Sequence, residues 1–244
     1  MAFVAPLGYK LAAFDYSQIE MRVLAWRSGD EGLVEIFKNN RDIHTAVAAK
    51  VFNVPEADIT KEMRRRAKVI NFGILYGMGI SSLRKNLNST MQEAKTFYNN
   101  FFIQFPRIKD YFEKIKSEVR QKGYTTTAYG RRRYFPMINS SLPYVRAEAE
   151  RMAVNASIQG TATADIIKIA MQKVDLSLEE AGLSNSSYLL LQIHDELLYE
   201  IKDGSDLYKI MQIIKEAMET AVALPVPIAV NVYLGDNWGE MHRP

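Results

Sequence analysis

Residues 189–201 read LLLQIHDELLYEI, two strongly apolar runs that meet at His194, Asp195 and Glu196. Apolar runs of this length around a short polar break predict the two strands of a β-hairpin, with the polar tip forced out of the core. His-Asp is not the favoured chemistry for a two-residue turn, since Asn-Gly or Asp-Gly lets the strands twist more easily. A turn sequence at odds with its own geometry points to another job for the tip. Side chains alternate along a strand, so Asp195 and Glu196 diverge, which makes Asp195 the main candidate cation ligand and Glu196 a peripheral one. Taken in isolation, the stretch is explained equally well as a solvated acidic turn.

Working outward from the hairpin, SYLLLQI (187–193), ELLYEI (196–201) and IAVNVYLG (228–235) predict strands, with a helix over residues 205–222. KLAAFDY (10–16) predicts a short buried strand, from which Ser17 opens an apolar-periodic helix to about Phe37. Residues 42–122 are helical in pattern almost throughout, broken at Pro55, at Gly77–Gly79 and at Pro106. GYTTTAYGRRRYFP (123–136) carries turn and β-branched signals, and one long helix is predicted from Pro143 to Glu180. The fold class expected is α+β, a body of sheet and helix with a mostly helical excursion.

Composition narrows the setting. The 244 residues are 48% hydrophobic and 24% charged, the range of a chain that buries a sizeable core. The formal charge is only +3, from 31 basic against 28 acidic residues, so affinity for a polyanion must come from clusters such as Arg64–Arg66 and Arg131–Arg133. The absence of cysteine excludes disulfides and thiolate metal sites. No apolar stretch is long enough for a membrane span and no signal peptide is legible, so a cytoplasmic location without a membrane partner is expected.

Two more stretches carry chemistry. In FDYSQIEMR (14–22) an aspartate closes a strand just before a helix. Ser17 with Glu20 spells a capping box, the bland explanation; the functional one is that a carboxylate at a strand end presents oxygen to a hard divalent cation. In RRRAKVINFGILYG (64–77), Arg64, Lys68, Phe72 and Tyr76 fall at roughly 0°, 40°, 80° and 120° on a helical wheel, while Met63, Ala67, Ile70 and Ile74 fall between about 240° and 300°. One side anchors and the other stays available, with cations for phosphates and rings for a sugar and base. Arg65 can join the available side, and Arg66 lies off both stripes.

Taken together and in order, DYSQIEMR, RRRAKVINFGILYG and QIHDEL resemble motifs A, B and C of family A DNA polymerases, the bacterial DNA polymerase I type. RDIHT (41–45), GRRRY (130–134), ERMAVNASIQGTA (150–162) and GDNWGE (235–240) resemble further family segments, so the similarity runs over nearly the whole chain. It implies a right-hand polymerase with palm at residues 1–41 and 131–244 and helical fingers at 42–130, the motif B helix spanning 63–77. It also implies two Mg²⁺ ions held by Asp15, Asp195 and the Tyr16 carbonyl, with Glu196 nearby. Arg64, Lys68 and His44 would contact the incoming triphosphate, Lys68 also serving as general acid. Gln18 would belong to the nucleotide site. Glu20 and Tyr76 would crowd the sugar 2′ position and exclude ribonucleotides, and Phe72 would discriminate against chain terminators. Asn155, Gln159 and His194 would touch the minor groove of primer-template DNA, and Arg131, Arg132 and Arg151 would bind DNA.

Two departures from the family pattern bear on these expectations. QGTATADIIK (159–168) is one residue longer than the usual family run after the glutamine, which puts the helix register beyond Thr161 in doubt. The chain also begins just ahead of motif A, so the thumb and the exonuclease-like domain are expected to be absent or supplied by a partner chain, leaving weak, distributive, salt-sensitive activity. A phage-type RNA polymerase relative and a non-catalytic DNA-binding or accessory module are the alternatives. Glu20 argues against the first, and the full set of expected metal and triphosphate residues against the second.

Overall fold

The protein is described here from a computed structural model covering residues 3–244. Strand β1 (Tyr9–Tyr16) leads into helices α1 (Ile19–Ser28), α2 (Glu31–Lys38) and α3 (Ile43–Phe52). Then come α4 (Lys61–Leu75), α5 (Ile80–Leu87), α6 (Met91–Gln104) and α7 (Pro106–Lys122), followed by the short hairpin β2 (Tyr124–Thr126) and β3 (Arg132–Tyr134). Helix α8 (Pro143–Gln159) continues through a π-helical segment, Gly160–Ile166, into α9 (Ile167–Glu180). Strands β4 (Ser187–Ile193) and β5 (Glu196–Lys202), helix α10 (Leu207–Glu219) and strand β6 (Val230–Gly235) complete the order. The α+β expectation holds.

Two compact units are built from these elements: residues up to Ile19 together with Ala162–Pro244, and Glu20–Thr161. The first is organised by an antiparallel sheet in the order β4-β5-β1-β6. Because directly opposed residues share a face, the register sorts the sheet into two surfaces. Ala12, Phe14 and Tyr16 of β1, with Leu197, Tyr199 and Ile201 of β5, are almost wholly buried on one face. Phe14 and Tyr199 meet edge to face at 5.8 Å, and the Tyr16 hydroxyl donates to the Met218 carbonyl at 2.8 Å, tying β1 to α10. The opposite face carries Leu11, Ala13 and Leu198, against which Ala5, Leu191, Tyr233, Trp238 and Met241 pack. At the end of that apolar strip stands a polar row: Glu196, Asp15 and Asn231, side by side on β5, β1 and β6.

The second unit is helical apart from β2 and β3. Its polar caps are placed where helix starts need them: Asp30, Asp42, Thr60 and Thr90 each accept a backbone N–H in the first turn of α2, α3, α4 and α6. Pro106, expected only as a break, is the first residue of α7, where its missing N–H costs nothing.

The single helix expected from Ser17 to Phe37 is two. Gly29 takes φ +62, and the buried Asp30 accepts from the Leu33 amide at 3.2 Å and the Arg107 amide at 3.2 Å, so a second start is fixed there. Gln18 takes φ +55, and α1 therefore begins at Ile19 rather than at Ser17. The long helix over 143–180 is continuous as expected, and Gly160–Ile166 within it is π-helical, the wider turn by which a helix can absorb one extra residue without shifting everything beyond it.

Candidate functional site

The chemistry-bearing residues fall into two sets, one in each unit. In the sheet unit, Asp15 sits at the end of β1, directly opposite Glu196 on one side and Asn231 on the other. Asp195 occupies the two-residue turn between Ile193 and Glu196, and its carbonyl accepts from the Tyr16 amide at 3.2 Å. His194 takes φ +52, as a primed hairpin turn requires at its first central position. Gln192 donates to the His194 carbonyl at 3.0 Å, and Lys168 donates to Gln192 at 3.2 Å.

The electrostatics of this set are those of carboxylates held where they are uncomfortable. Burial, then the neighbouring charge of Asp195, pushes the Asp15 carboxyl up to about 6, while a hydrogen bond from Asn231 opposes the rise. Burial also raises Asp195 and Glu196. Carboxylates pushed toward neutrality by burial, and at Asp15 and Glu196 also by the neighbouring charge of Asp195, are stabilised by any cation that joins them, and an all-oxygen donor set suits a hard one such as Mg²⁺. Among the described residues no group of three or more acidic or histidine side chains converges as a ready-made metal cluster. The donors fit Mg²⁺ in kind and in charge.

The helical unit holds the second set on α4. Ala67, Ile70 and Ile74 are fully buried, so the anchoring side expected from the wheel is the side that packs. Lys68 and Tyr76 are exposed and Phe72 is half-buried. The Lys68 ammonium lies 6.0 Å from the Phe72 ring centre, Phe72 and Tyr76 are near-parallel with centroids 6.3 Å apart, and the His44 ring is 5.8 Å from Phe72. The arginines are engaged differently. Arg64 makes a two-pronged ion pair with Asp42, at 3.0 and 2.8 Å, whereas Arg65 and Arg66 both bind Glu62. Burial works to raise the Asp42 carboxyl, but hydrogen bonds from Arg64 and Thr45 outweigh it and hold it at about 2.

His44 is buried and bonds through Nδ1 with the Asn71 amide at 3.1 Å. Burial, assisted by Arg64 and Lys68 and opposed by Asp42, lowers it to about 4, so the ring is neutral at physiological pH. A depressed histidine gives stability above its unfolded pKa that is lost as pH falls toward the folded value. Urea melts of the wild type and His44→Asn are expected to converge in their pH dependence only above about pH 7; near pH 5 the wild type should have lost about 1–2 kcal/mol more than the variant. Equal losses in both proteins would remove His44 as the cause.

Of the remaining predicted residues, Gln18 is half-buried in the turn after β1, and Glu20 is half-buried in the first turn of α1. Asn155 donates to Gln159 one turn later at 3.2 Å. Arg151 lies exposed on α8 against Gly77, where a Cβ would come within 3.0 Å of the arginine side chain and where φ is +68. Glycine is required there for both reasons. Arg132 stacks over Tyr124 at 4.9 Å, and the Arg131 amide donates to Thr127 at 3.1 Å. Asp42, Glu62, Asn71, Asn231 and Trp238 are participants that sequence patterns did not single out. Only Glu62 left a legible signal, its spacing of three and four from the two arginines.

The family model for DNA polymerase family A matches residues 1–240. The chain belongs to that family. It is 43% identical over 241 residues to DNA polymerase I of Pseudomonas aeruginosa, covering 99% of this chain and 26% of that protein. With the thermostable DNA polymerase I of Thermus aquaticus the identity is 45% over 238 residues, covering 97% of this chain and 28% of the relative. The polymerase domain of Pol1 from M. smegmatis, solved in complex with DNA primer-template and dNTP, superposes with a TM-score of 0.90 at 44% identity, covering 97% of this chain and 41% of that one. This family A chain therefore spans about a quarter of the length of the curated relatives it matches. No helix among its described residues is long and apolar enough to cross a membrane.

Proposed function

We propose that the chain is the catalytic core of a DNA-templated DNA polymerase, adding deoxynucleotides to a primer 3′ end. The observation that carries the proposal is the pairing of Asp15 with Glu196 across β1 and β5, beside Asp195, as a set of partly buried carboxylates on a family A sheet. Residues 1–41 and 131–244 are assigned to a palm and 42–130 to fingers. Bound at Asp15, Asp195 and the Tyr16 carbonyl, two Mg²⁺ ions would supply activation of the attacking oxygen and stabilisation of the leaving oxygens in an in-line displacement.

The chain's own residues do the rest. Arg64 and Lys68 hold the triphosphate, Arg64 exchanging Asp42 for phosphate oxygens. Lys68 Nζ gives its proton to pyrophosphate as the bond between the α-phosphorus and the bridging oxygen breaks. His44, neutral, offers its Nε2–H as a donor. Phe72 supports the base and sugar, Glu20 and Tyr76 limit space at the sugar 2′ position, and Gln18 belongs to the nucleotide site. Asn155, Gln159 and His194 meet minor-groove acceptors shared by every correct base pair, so shape is checked rather than sequence. Arg131, Arg132 and Arg151 bind phosphate backbone without sequence preference.

Primer extension with deoxynucleotides and with ribonucleotides tests the assignment of substrate. Deoxynucleotides are expected to be favoured by at least about 100-fold, the discrimination a steric clash of roughly 3 kcal/mol gives. Extension is expected to fall about tenfold or more when salt rises from about 50 to 200 mM, because each phosphate contact made by Arg131, Arg132 and Arg151 releases counterions on binding and about two such contacts already give that loss. Ribonucleotides used equally well would move the chain to the RNA polymerase alternative.

A further inference from the structure

The segment after β6 folds back over the face of the sheet on which Asp15 and Glu196 stand. It is pinned at several points. The Ala5 amide donates to the Asp236 carbonyl at 2.8 Å, the Trp238 amide to Phe3 at 3.2 Å, and Leu234 and His242 exchange both backbone hydrogen bonds at 2.8 and 3.0 Å. Asn237 starts a tight turn by accepting from the Gly239 amide at 3.1 Å, and its own amide donates to Glu240 at 2.8 Å. Trp238 and Met241 pack against Leu11, Ala13 and Leu198, and Phe3 meets the Trp238 ring edge to face at 5.4 Å.

From this strap two polar side chains reach the carboxylate row. Trp238 Nε1 donates to Glu196 Oε1 at 3.1 Å. Arg243, whose guanidinium also lies 5.9 Å from the Tyr233 ring, donates through Nη2 to Asn231 Oδ1 at 3.4 Å. Asn231 stands directly opposite Asp15 in the β1–β6 register, and a hydrogen bond from its side chain works against the rise of the Asp15 carboxyl. Both ends of the row are thus held from outside the motifs, by residues more than forty positions from the hairpin tip. Apolar packing alone accounts for the Trp238 ring; it does not account for a half-buried N–H aimed at a carboxylate or for a guanidinium folded back onto an asparagine.

Taking Asp15 as a cation ligand with Glu196 beside it, as proposed above, we propose that the strap of residues 236–243 is the positioning element of that site. Trp238 fixes Glu196, and Arg243, acting through Asn231, fixes Asp15. Groups that orient a metal ligand typically contribute about 10- to 100-fold in metal affinity or activity.

The test uses the whole chain with Mn²⁺ as probe, free Mn²⁺ being followed by its electron paramagnetic resonance signal. Trp238→Phe keeps the ring packing and removes the donor; Arg243→Met removes the guanidinium at the surface; Arg243→Lys restores a cation. Mn²⁺ affinity is expected to fall about tenfold in Trp238→Phe and Arg243→Met, with at least partial recovery in Arg243→Lys. The rate at saturating deoxynucleotide should fall in step while the deoxynucleotide KM, set on α4, stays within about twofold. Variants that melt earlier than wild type yet bind Mn²⁺ equally well would show a structural role and overturn the proposal. Asp15→Ala separates the two levels of inference. If wild type binds Mn²⁺ no better than Asp15→Ala, the cation site itself is refuted; if only the strap variants match wild type, the strap inference alone falls.

Discussion

Asp15→Ala is expected to lower the rate of nucleotide addition by at least about 1,000-fold, on the scale of losing one preorganised electrostatic partner of a phosphoryl transfer. The same substitution is expected to stabilise the fold. At neutral pH the wild-type carboxylate is ionised while half-buried and close to Asp195, and its raised pKa records that cost. Removing it in metal-free buffer should add on the order of 1 kcal/mol, discounted for the solvent that still reaches the site, or a few degrees in Tm for a chain of this size. Activity lost and stability gained in one variant is the signature of a group kept for chemistry. Loss of both would instead make Asp15 a structural residue.

Lys68→Ala is the second large effect, with an expected loss of about 100- to 1,000-fold in the rate of addition and little change in duplex binding. Among the described residues Lys68 has no carboxylate partner; its ammonium sits near the Phe72 ring and is ready for an anion. Arg64 differs, since Asp42 already holds it in a two-pronged ion pair. A half-exposed pair of this kind contributes about 1 kcal/mol or less, so the triphosphate can displace it at small cost. Arg64→Ala should therefore appear mainly as a rise in KM, about tenfold, while Lys68→Ala appears mainly in kcat. Rapid-quench measurements over a range of deoxynucleotide concentrations separate the two. A Lys68→Ala defect confined to KM would remove the general-acid role.

Much of this was legible before any coordinates. The strand at KLAAFDY, the hairpin around His194 and Asp195, and the buried side of α4 at Ala67, Ile70 and Ile74 all followed from apolar periodicity, because burial on one face imposes it. What periodicity cannot encode is partnership across the chain. Asp42 clamps Arg64 from twenty-two positions away, and Asn71 reaches His44 from twenty-seven, through packing of α3 on α4. The break at Gly29 and Asp30 was hidden because α2 resumes an apolar stripe immediately after it. Asn231 and Trp238 resembled ordinary strand and tail residues; only the β1–β6 register and the fold-back of the final segment bring them to the carboxylates. The π-helical turn at Gly160–Ile166 lies within QGTATADIIK, and apolar periodicity does not announce it.

The central claim is that this chain performs templated nucleotide addition, and single-nucleotide extension of a primer-template with Mg²⁺ tests it most directly, with Asp195→Ala as control. The expected result is addition of the deoxynucleotide complementary to each of the four template bases by the wild type, and none by the variant. Wild type and Asp195→Ala binding the duplex equally and both leaving the primer unextended would contradict it, and would make the chain a DNA-binding module that keeps the family fold.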